Sequence, residues 1–250
     1  MATMDAEELE TLIRKCLSSY YQRRIQALDS LDLTTVLRRK NPYLFRANGM
    51  SNAPEMIREL LAAHVSSSDE SIFGDEFFEP ICNAVSQEVI QVAGARGTDF
   101  VVETADSYEV ISLKSGPNAF NSSQVEKQNE HFEEIQRSVR ATIRGLRKQF
   151  IPIMGCAYGR VNSEPTRSRK YYKLAGQAFW ERVTGDPGFY LKLVSLMRDD
   201  PDKHKPVFKE AWDKAETRFV RDFTVGFCAE DGTILWDKLV RFNSGKKEGG

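Results

Sequence analysis

Two neighbouring stretches, Thr98-Asp99-Phe100-Val101-Val102-Glu103 and Ile111-Ser112-Leu113-Lys114-Ser115-Gly116-Pro117-Asn118, decide how this chain is read. Each is short, apolar and rich in β-branched residues, which predicts strands over Asp99 to Thr104 and Tyr108 to Lys114. Ala105-Asp106-Ser107 supplies a tight polar turn between them. In such a hairpin the start of the first strand lies beside the end of the second. Asp99 and Lys114 are therefore expected to meet at its open end. Side chains two apart on a strand share a face, so Ser112 is expected to point with Lys114. Glu103 lies about 13 Å along the first strand from Asp99, too far to share a ligand with it unless the strand bends.

Working outward, Val89 to Ala93 is a further strand candidate, and Phe150 to Tyr158 reads as a buried strand. Helices are expected over 5–28, 31–39 and 53–64 from apolar residues at helical spacing. Ser66-Ser67-Ser68-Asp69 reads as a loop and N-cap for a helix from Glu70, with Phe73, Phe77, Ile81 and Val85 on one side. A long helix is expected over 122–150, then helices over 168–183, 187–197, 205–225 and 235–242. Trp180, Trp212 and Trp236 fall at apolar helical positions and are expected in the core. The fold class is α/β, a mixed sheet flanked by helices with helical elaborations at both ends. A single domain is expected over 1–245, with its core at about 66–160, elaborations at 1–65 and 161–245, and a disordered tail at 246–250.

The composition sets bounds. With 250 residues, 41% hydrophobic, the chain can bury a large core. A net charge of −1 leaves no bulk basic signature, so any nucleic-acid surface must be a local patch. Cys16, Cys82, Cys156 and Cys228 lack CxxC spacing and are read as free thiols in a reducing cytosol. His64, His131 and His204 form no metal-ligand pattern. No apolar run reaches membrane-spanning length, and the first fourteen residues are acidic, unlike a signal peptide. A soluble, cytoplasmic protein is expected. There is no phosphate-cradling Gly-rich loop, Cys/His pair or nucleophile elbow, which argues against an ordinary enzyme of small-molecule metabolism.

A carboxylate and a lysine at the ends of adjacent strands can hold Mg²⁺ and polarise a water beside a phosphodiester. One carboxylate, the backbone carbonyl of Leu113 and waters form a thin ligand set. A second acid is expected from the preceding helix, where Glu70, Glu76 and Glu79 are available. Beyond Lys114, the polar residues Asn118, Asn121 and Gln124 suit phosphate or base contacts, or else a turn and a helix cap. Basic residues gather in three places. Arg137, Arg140, Arg144 and Arg147 form a stripe at helical spacing. Arg160, Arg167, Arg169, Lys170 and Lys173 surround Tyr171 and Tyr172 on a segment leaving the buried strand, as a phosphate-contacting arm would. Arg38-Arg39-Lys40 is the third patch.

Taken in order, several segments resemble the PmeII-type type II restriction endonucleases of the PD-(D/E)XK nuclease superfamily. They are Asn41 to Arg46, Ser66 to Glu70 with Phe73-Gly74, Ile111 to Asn118 with Asn121 to Gln124, Gly155 to Arg160, Gly176 to Trp180 and Asp231 to Trp236. The resemblance implies a homodimer that cleaves double-stranded DNA at a short site with Mg²⁺, or Mn²⁺ in its place, and without a nucleotide cofactor. It makes Asp99 the metal-binding aspartate and Lys114 the catalytic lysine. Ser112 stands where the superfamily has Asp or Glu. That departure calls for a displaced acid from Glu79, Glu70 or Glu103. It also keeps open a catalytically impaired DNA-binding protein on the same fold.

Overall fold

Five strands form one mixed sheet in the order β1-β2-β3-β4-β5: β1 (Val89–Ile90), β2 (Phe100–Glu103), β3 (Ser107–Lys114), β4 (Gln149–Cys156) and β5 (Tyr172–Ala175). The computed structural model describes residues 4–86, 89–90, 99–117 and 122–246. The β1–β2 and β2–β3 pairs are antiparallel; β3–β4 and β4–β5 are parallel. The expected hairpin is therefore present, with Phe100 opposite Ile111 and Glu103 opposite Tyr108. β3 is central and buried along nearly its whole length. Its apolar residues Tyr108, Val110, Ile111 and Leu113 are interspersed with the buried polar residues Ser107, Glu109 and Ser112.

Two helices pack on one face of the sheet, α6 (Ser122–Ser138) and α7 (Arg140–Leu146). Phe132, Ile135 and Ile143 meet Val101, Tyr108, Val110, Met154 and Cys156 there. On the opposite face, α8 (Gln177–Thr184) brings Phe179 against Gly155, where an added Cβ would stand 2.2 Å from the ring. Glycine at 155 thus lets helix and strand approach closely.

The chain divides into two compact units, one of Met1–Ser18 and Phe73–Arg198, the other of Ser19–Ile72 and Asp199–Gly250. The first holds the sheet. The second is helical. α2 (Leu33–Leu37), α3 (Pro42–Ala47), α10 (Asp200–Phe227) and α11 (Trp236–Ser244) lie within it. It also holds all but the last residue of α4 (Ala53–Phe73) and the C-terminal part of α1 (Ala6–Asp29). Its core joins Met56, Ile57, Leu60 and Leu61 to Phe219, Phe223 and Leu239.

Several expectations need correction. Ser66 to Asp69 is not a loop, because α4 runs through it. Val65 and Ile72 keep the buried stripe in phase, and the Ser68 hydroxyl donates back to the Val65 carbonyl at 3.2 Å. The helix expected over 122–150 breaks at Val139 and ends at Arg147, which takes a left-handed conformation (φ 55°) usually left to Gly or Asn. Phe150 belongs to β4, and the arginine stripe is divided between two helices and a cap. Residues 172–175 are strand, not helix. Parallel pairing with β4 holds them, and α8 begins only after Gly176 (φ 55°). α10 starts at Asp200, earlier than expected, with Pro201 in its first turn where no N–H is needed. Trp180 is fully buried, whereas Trp212 and Trp236 are only partly covered. All four cysteines are free thiols, and Cys16, Cys82 and Cys156 are buried. Of the tail, only Lys246 falls within the described residues.

Candidate active site

The open end of the β2–β3 hairpin is fixed by backbone and side-chain bonds together. The Asp99 N–H donates to the Ile111 carbonyl at 3.0 Å, extending the ladder one step past the Phe100–Ile111 pair. That step sets Asp99 across from Ser112. The Leu113 N–H in turn donates to Asp99 Oδ2 at 2.5 Å. The backbone at Lys114 is anchored from the other side, where Ala157 N–H donates to the Lys114 carbonyl at 2.9 Å and Tyr158 N–H to that of Ser115 at 3.1 Å. Gly116 lies against Tyr158, so close that an added Cβ would stand 2.4 Å from its hydroxyl. The sharp turn after Lys114 thus docks on the turn after β4.

A third element joins them. Between α4 and α5 (Glu79–Val85) the chain makes a π-helical turn, Gly74–Phe78. Such wide turns gather at functional sites because they re-aim the residues they carry. Here Gly74 packs on Ser115: an added Cβ would come 2.6 Å from the Ser115 hydroxyl. The contact brings Asp75 and Glu79 toward the end of the hairpin.

The electrostatics record the result. Glu79 has a raised pKa, first from burial, then from the charges of Asp99 and Asp75, with Lys114 opposing. Asp99 is also raised. Burial is the main cause and the Asp75 charge adds to it, while the Leu113 N–H and Lys114 pull it down. Solvent reaches Asp99 as a residue, yet the protein crowded around its carboxyl group outweighs that access. Burial and the charges of Asp99 and Glu79 also hold the nearby Cys82 thiol neutral, so it is no nucleophile. Crowded acids with upward shifts beside a lysine are a physical signature of functional sites.

Among the acids considered as replacements, Glu79 is the one on which the charges of Asp99 and Lys114 act. Glu103 sits at the far end of the hairpin, paired with Lys148 at 2.5 Å. Glu70 belongs to the helical unit, and Glu76 acts on Cys16. Asp75 was missed by the sequence reading; its spacing of four from Glu79 was the available signal. Ser112 is 1% exposed, and its hydroxyl has no hydrogen-bond partner among the described residues. It occupies the position across from Asp99 without supplying a charge.

No three His, Cys, Asp or Glu side chains among the described residues form a ready metal-binding group. Two carboxylates whose charges interact, Asp99 and Glu79, are nevertheless oxygen donors of the kind a hard cation takes. Mg²⁺ keeps several waters and is commonly held by one or two carboxylates plus substrate phosphate.

The residues expected to touch DNA fare differently. Asn118 and Asn121 lie outside the described residues. Gln124 is exposed on α6. Arg160 and Arg167 are exposed, without an ion pair among the described residues. Arg160 lines a cleft of about 670 Å³ with Tyr158, Asn162 and Gln177. Arg169 is tied to the carbonyls of Glu164 and Tyr171, and Lys170 to Glu133 at 2.5 Å. Lys173 donates to the Pro117 carbonyl. Tyr171 is wholly buried. The expected arm is thus partly a fastening of the chain to itself, held further by Asn129, which donates to the Ser168 carbonyl and accepts the Lys170 N–H, each at 2.8 Å.

Residues 7–205 match the type II restriction endonuclease EcoO109I family. The chain belongs to this family. The match spans the hairpin, the π-helical turn and β5, so the gathered residues lie inside the region that defines membership. It names the EcoO109I family rather than the PmeII type. Hydrolytic, site-specific DNA cleavage is the class of activity that membership in the EcoO109I family carries. No curated protein matches the chain.

Proposed function

We propose that this chain cleaves double-stranded DNA at a short specific site in a Mg²⁺-dependent reaction, with Mn²⁺ able to substitute. The observation that carries this reading is the convergence of Asp99, Glu79 and Lys114 at one end of a hairpin within a restriction-endonuclease family chain. Asp99 and Glu79, with the Leu113 carbonyl, would hold the cation. When bound, Mg²⁺ supplies a polarised water and neutralises charge on the phosphate. Lys114 is assigned to the developing negative charge of the phosphoryl oxygens, where a fixed cation in a water-poor site is most effective. Water adds to phosphorus as the bond to the 3′ oxygen breaks. Ser112 is proposed to belong to the same site as the buried, uncharged neighbour across from Asp99. Arg160, Arg167 and Gln124, with Asn118 and Asn121, are proposed DNA contacts. A homodimer and a cytoplasmic location belong to the same proposal, as does kinship with PmeII-type enzymes. No helix among the described residues is long and apolar enough to cross a membrane.

A second reading is a DNA-binding protein impaired in catalysis, favoured by the buried, uncharged Ser112 where an acid is expected. Incubation with a complex DNA and Mg²⁺ or Mn²⁺ separates the two. Discrete fragments support the endonuclease. Sequence-selective retention of uncut DNA in both metals replaces it with the second reading.

A further inference from the structure

The helical unit contains an open cleft of about 690 Å³ whose chemistry none of the foregoing uses. Three cations line it, Arg23 on α1 and Arg39 and Lys40 just after α2, and among the described residues no carboxylate does. On the α4 wall, His64, Ser67 and Ser71 recur at spacings of three and four, so one helix face presents an imidazole and two hydroxyls. Arg39 and Lys40 reach this wall from a separate element, close enough for their charges to act on His64. Neither has an ion-pair partner among the described residues. Arg39 and Lys40, beside hydroxyl donors, match a phosphate oxygen.

The lining also indicates which phosphate compound fits. Its apolar members are Ala27, Val36 and Ile72, and among the described residues it contains no Phe, Tyr or Trp on which a base could stack. No acid among the described residues lines it to hold a sugar hydroxyl. A nucleotide would thus be gripped only by its phosphate, whereas a polymer backbone asks for nothing more. We infer that this cleft binds a backbone phosphate of double-stranded DNA, through Arg39, Lys40 and the α4 serines, at a place in the chain separate from the hairpin cluster. The inference rests on the reading of this chain as a DNA-cleaving enzyme.

The test is equilibrium binding of a labelled duplex in EDTA, titrated with salt, for the full chain and for Arg39→Gln/Lys40→Gln. A second variant, Ser67→Ala/Ser71→Ala, removes hydroxyls at exposed helix positions that tolerate alanine. Each neutralised phosphate contact contributes roughly 0.9 to the slope of log affinity against log salt. The charge variant is expected to lose about tenfold in affinity near 0.1 M salt and roughly one to two units of slope. The serine variant is expected to lose affinity with the slope kept. Unchanged affinity and slope in the charge variant, while the parent binds and cuts, overturn the cleft alone. A parent that binds no duplex at low salt overturns the cleft and the endonuclease reading together. Calorimetric titration with inorganic phosphate adds a further arm. Heat that vanishes in the charge variant while its duplex binding is intact assigns the cleft to free phosphate and overturns the DNA assignment.

Discussion

Asp99 accepts the backbone N–H of Leu113 at 2.5 Å, so the acid that opens one strand is tied to the residue just before Lys114 on the next. This bond holds the carboxylate near the lysine, and it leaves the other carboxylate oxygen for a further partner. A carboxylate that already has a charge-assisted N–H bond is pre-positioned rather than searching among rotamers.

The first prediction concerns that pair. Asp99→Ala and Lys114→Ala should each reduce Mg²⁺-dependent cleavage by about 10²-fold or more, the usual scale for removing a preorganised charge. Circular dichroism and elution volume should match the parent. Undiminished cutting by either variant would remove that residue from the mechanism. Glu79→Gln should also lose activity and should need more metal to reach half of its maximal rate. An unchanged metal requirement would free Glu79 from the ligand set.

Stability should move the opposite way. Asp99 and Glu79 have pKa values raised in the folded chain, so the folded state holds these protons more tightly than the unfolded state. The linkage follows in sign. Below the ordinary carboxylate range the two acids are neutral in both states and cost nothing. As pH climbs through the unfolded value toward the raised folded one, ionisation favours unfolding, and the cost persists above it. Asp99→Asn, isosteric and still able to accept the Leu113 N–H, should therefore raise Tm at about pH 8. Near pH 3 the difference should disappear. For a chain of this size each kcal/mol recovered is worth about 2–4 °C. A lower Tm for Asp99→Asn at both pH values would mean that the ionised carboxylate is a structural support.

The hairpin was legible because its signals are local. Short runs rich in β-branched residues, a polar turn and terminal residues of opposite charge all sit within one short stretch. Glu79 could only be offered among several acids, since its approach to Asp99 depends on the π-helical turn and on the Gly74–Ser115 contact. No periodicity announces such a turn. β5 was hidden for a related reason: four residues, Tyr172 to Ala175, carry too few alternations to compete with the helical spacing around them, and parallel pairing with β4 decides their state. Arg147 ended a helix in a conformation for which arginine gives no warning. The basic segment at 167–173 is conspicuous by composition, but composition does not show its partners. The Glu133 carboxylate that engages Lys170 and the Pro117 carbonyl that engages Lys173 lie far away in sequence, while Arg169 bonds the carbonyls of Glu164 and Tyr171 within its own segment.

The Gly74 contact can be tested by adding one methyl. In Gly74→Ala the new Cβ would meet the Ser115 hydroxyl at 2.6 Å, the end of a short side chain that can turn aside. The change should therefore cost little stability, about 1 kcal/mol or less, since alanine also favours the helix. Its expected effect is on the site: the turn carrying Asp75 and Glu79 shifts against the Lys114 turn, and a displacement of a few tenths of an ångström to one ångström can cost up to about 10²-fold in rate. Turnover, metal dependence and thermal midpoint should be measured together. A fall in rate with an unchanged midpoint supports the docking argument, and an unchanged rate sets it aside.

The last prediction separates fold from chemistry. Glu109, in the middle of β3, is 3% exposed and projects to the face opposite Lys114. Arg182 of α8 grips it with two bonds, Nε to Oε2 at 2.9 Å and Nη2 to Oε1 at 2.5 Å, and the Ser107 hydroxyl donates a third at 2.8 Å. Cutting Arg182 back to alanine strands a buried carboxylate. Loss of one partner from a buried pair costs about 3–5 kcal/mol, reduced here because Arg182 is itself half exposed, so roughly 2–4 kcal/mol is expected. Urea unfolding should show a lower midpoint with the same slope, and Glu109→Gln in the Arg182→Ala background should recover part of the loss by removing the stranded charge. Because the pair lies on the far face of the sheet from the Asp99–Lys114 cluster, specific activity per folded molecule should stay near that of the parent. An activity loss exceeding the unfolded fraction would show that the β3 register set by this pair reaches the site.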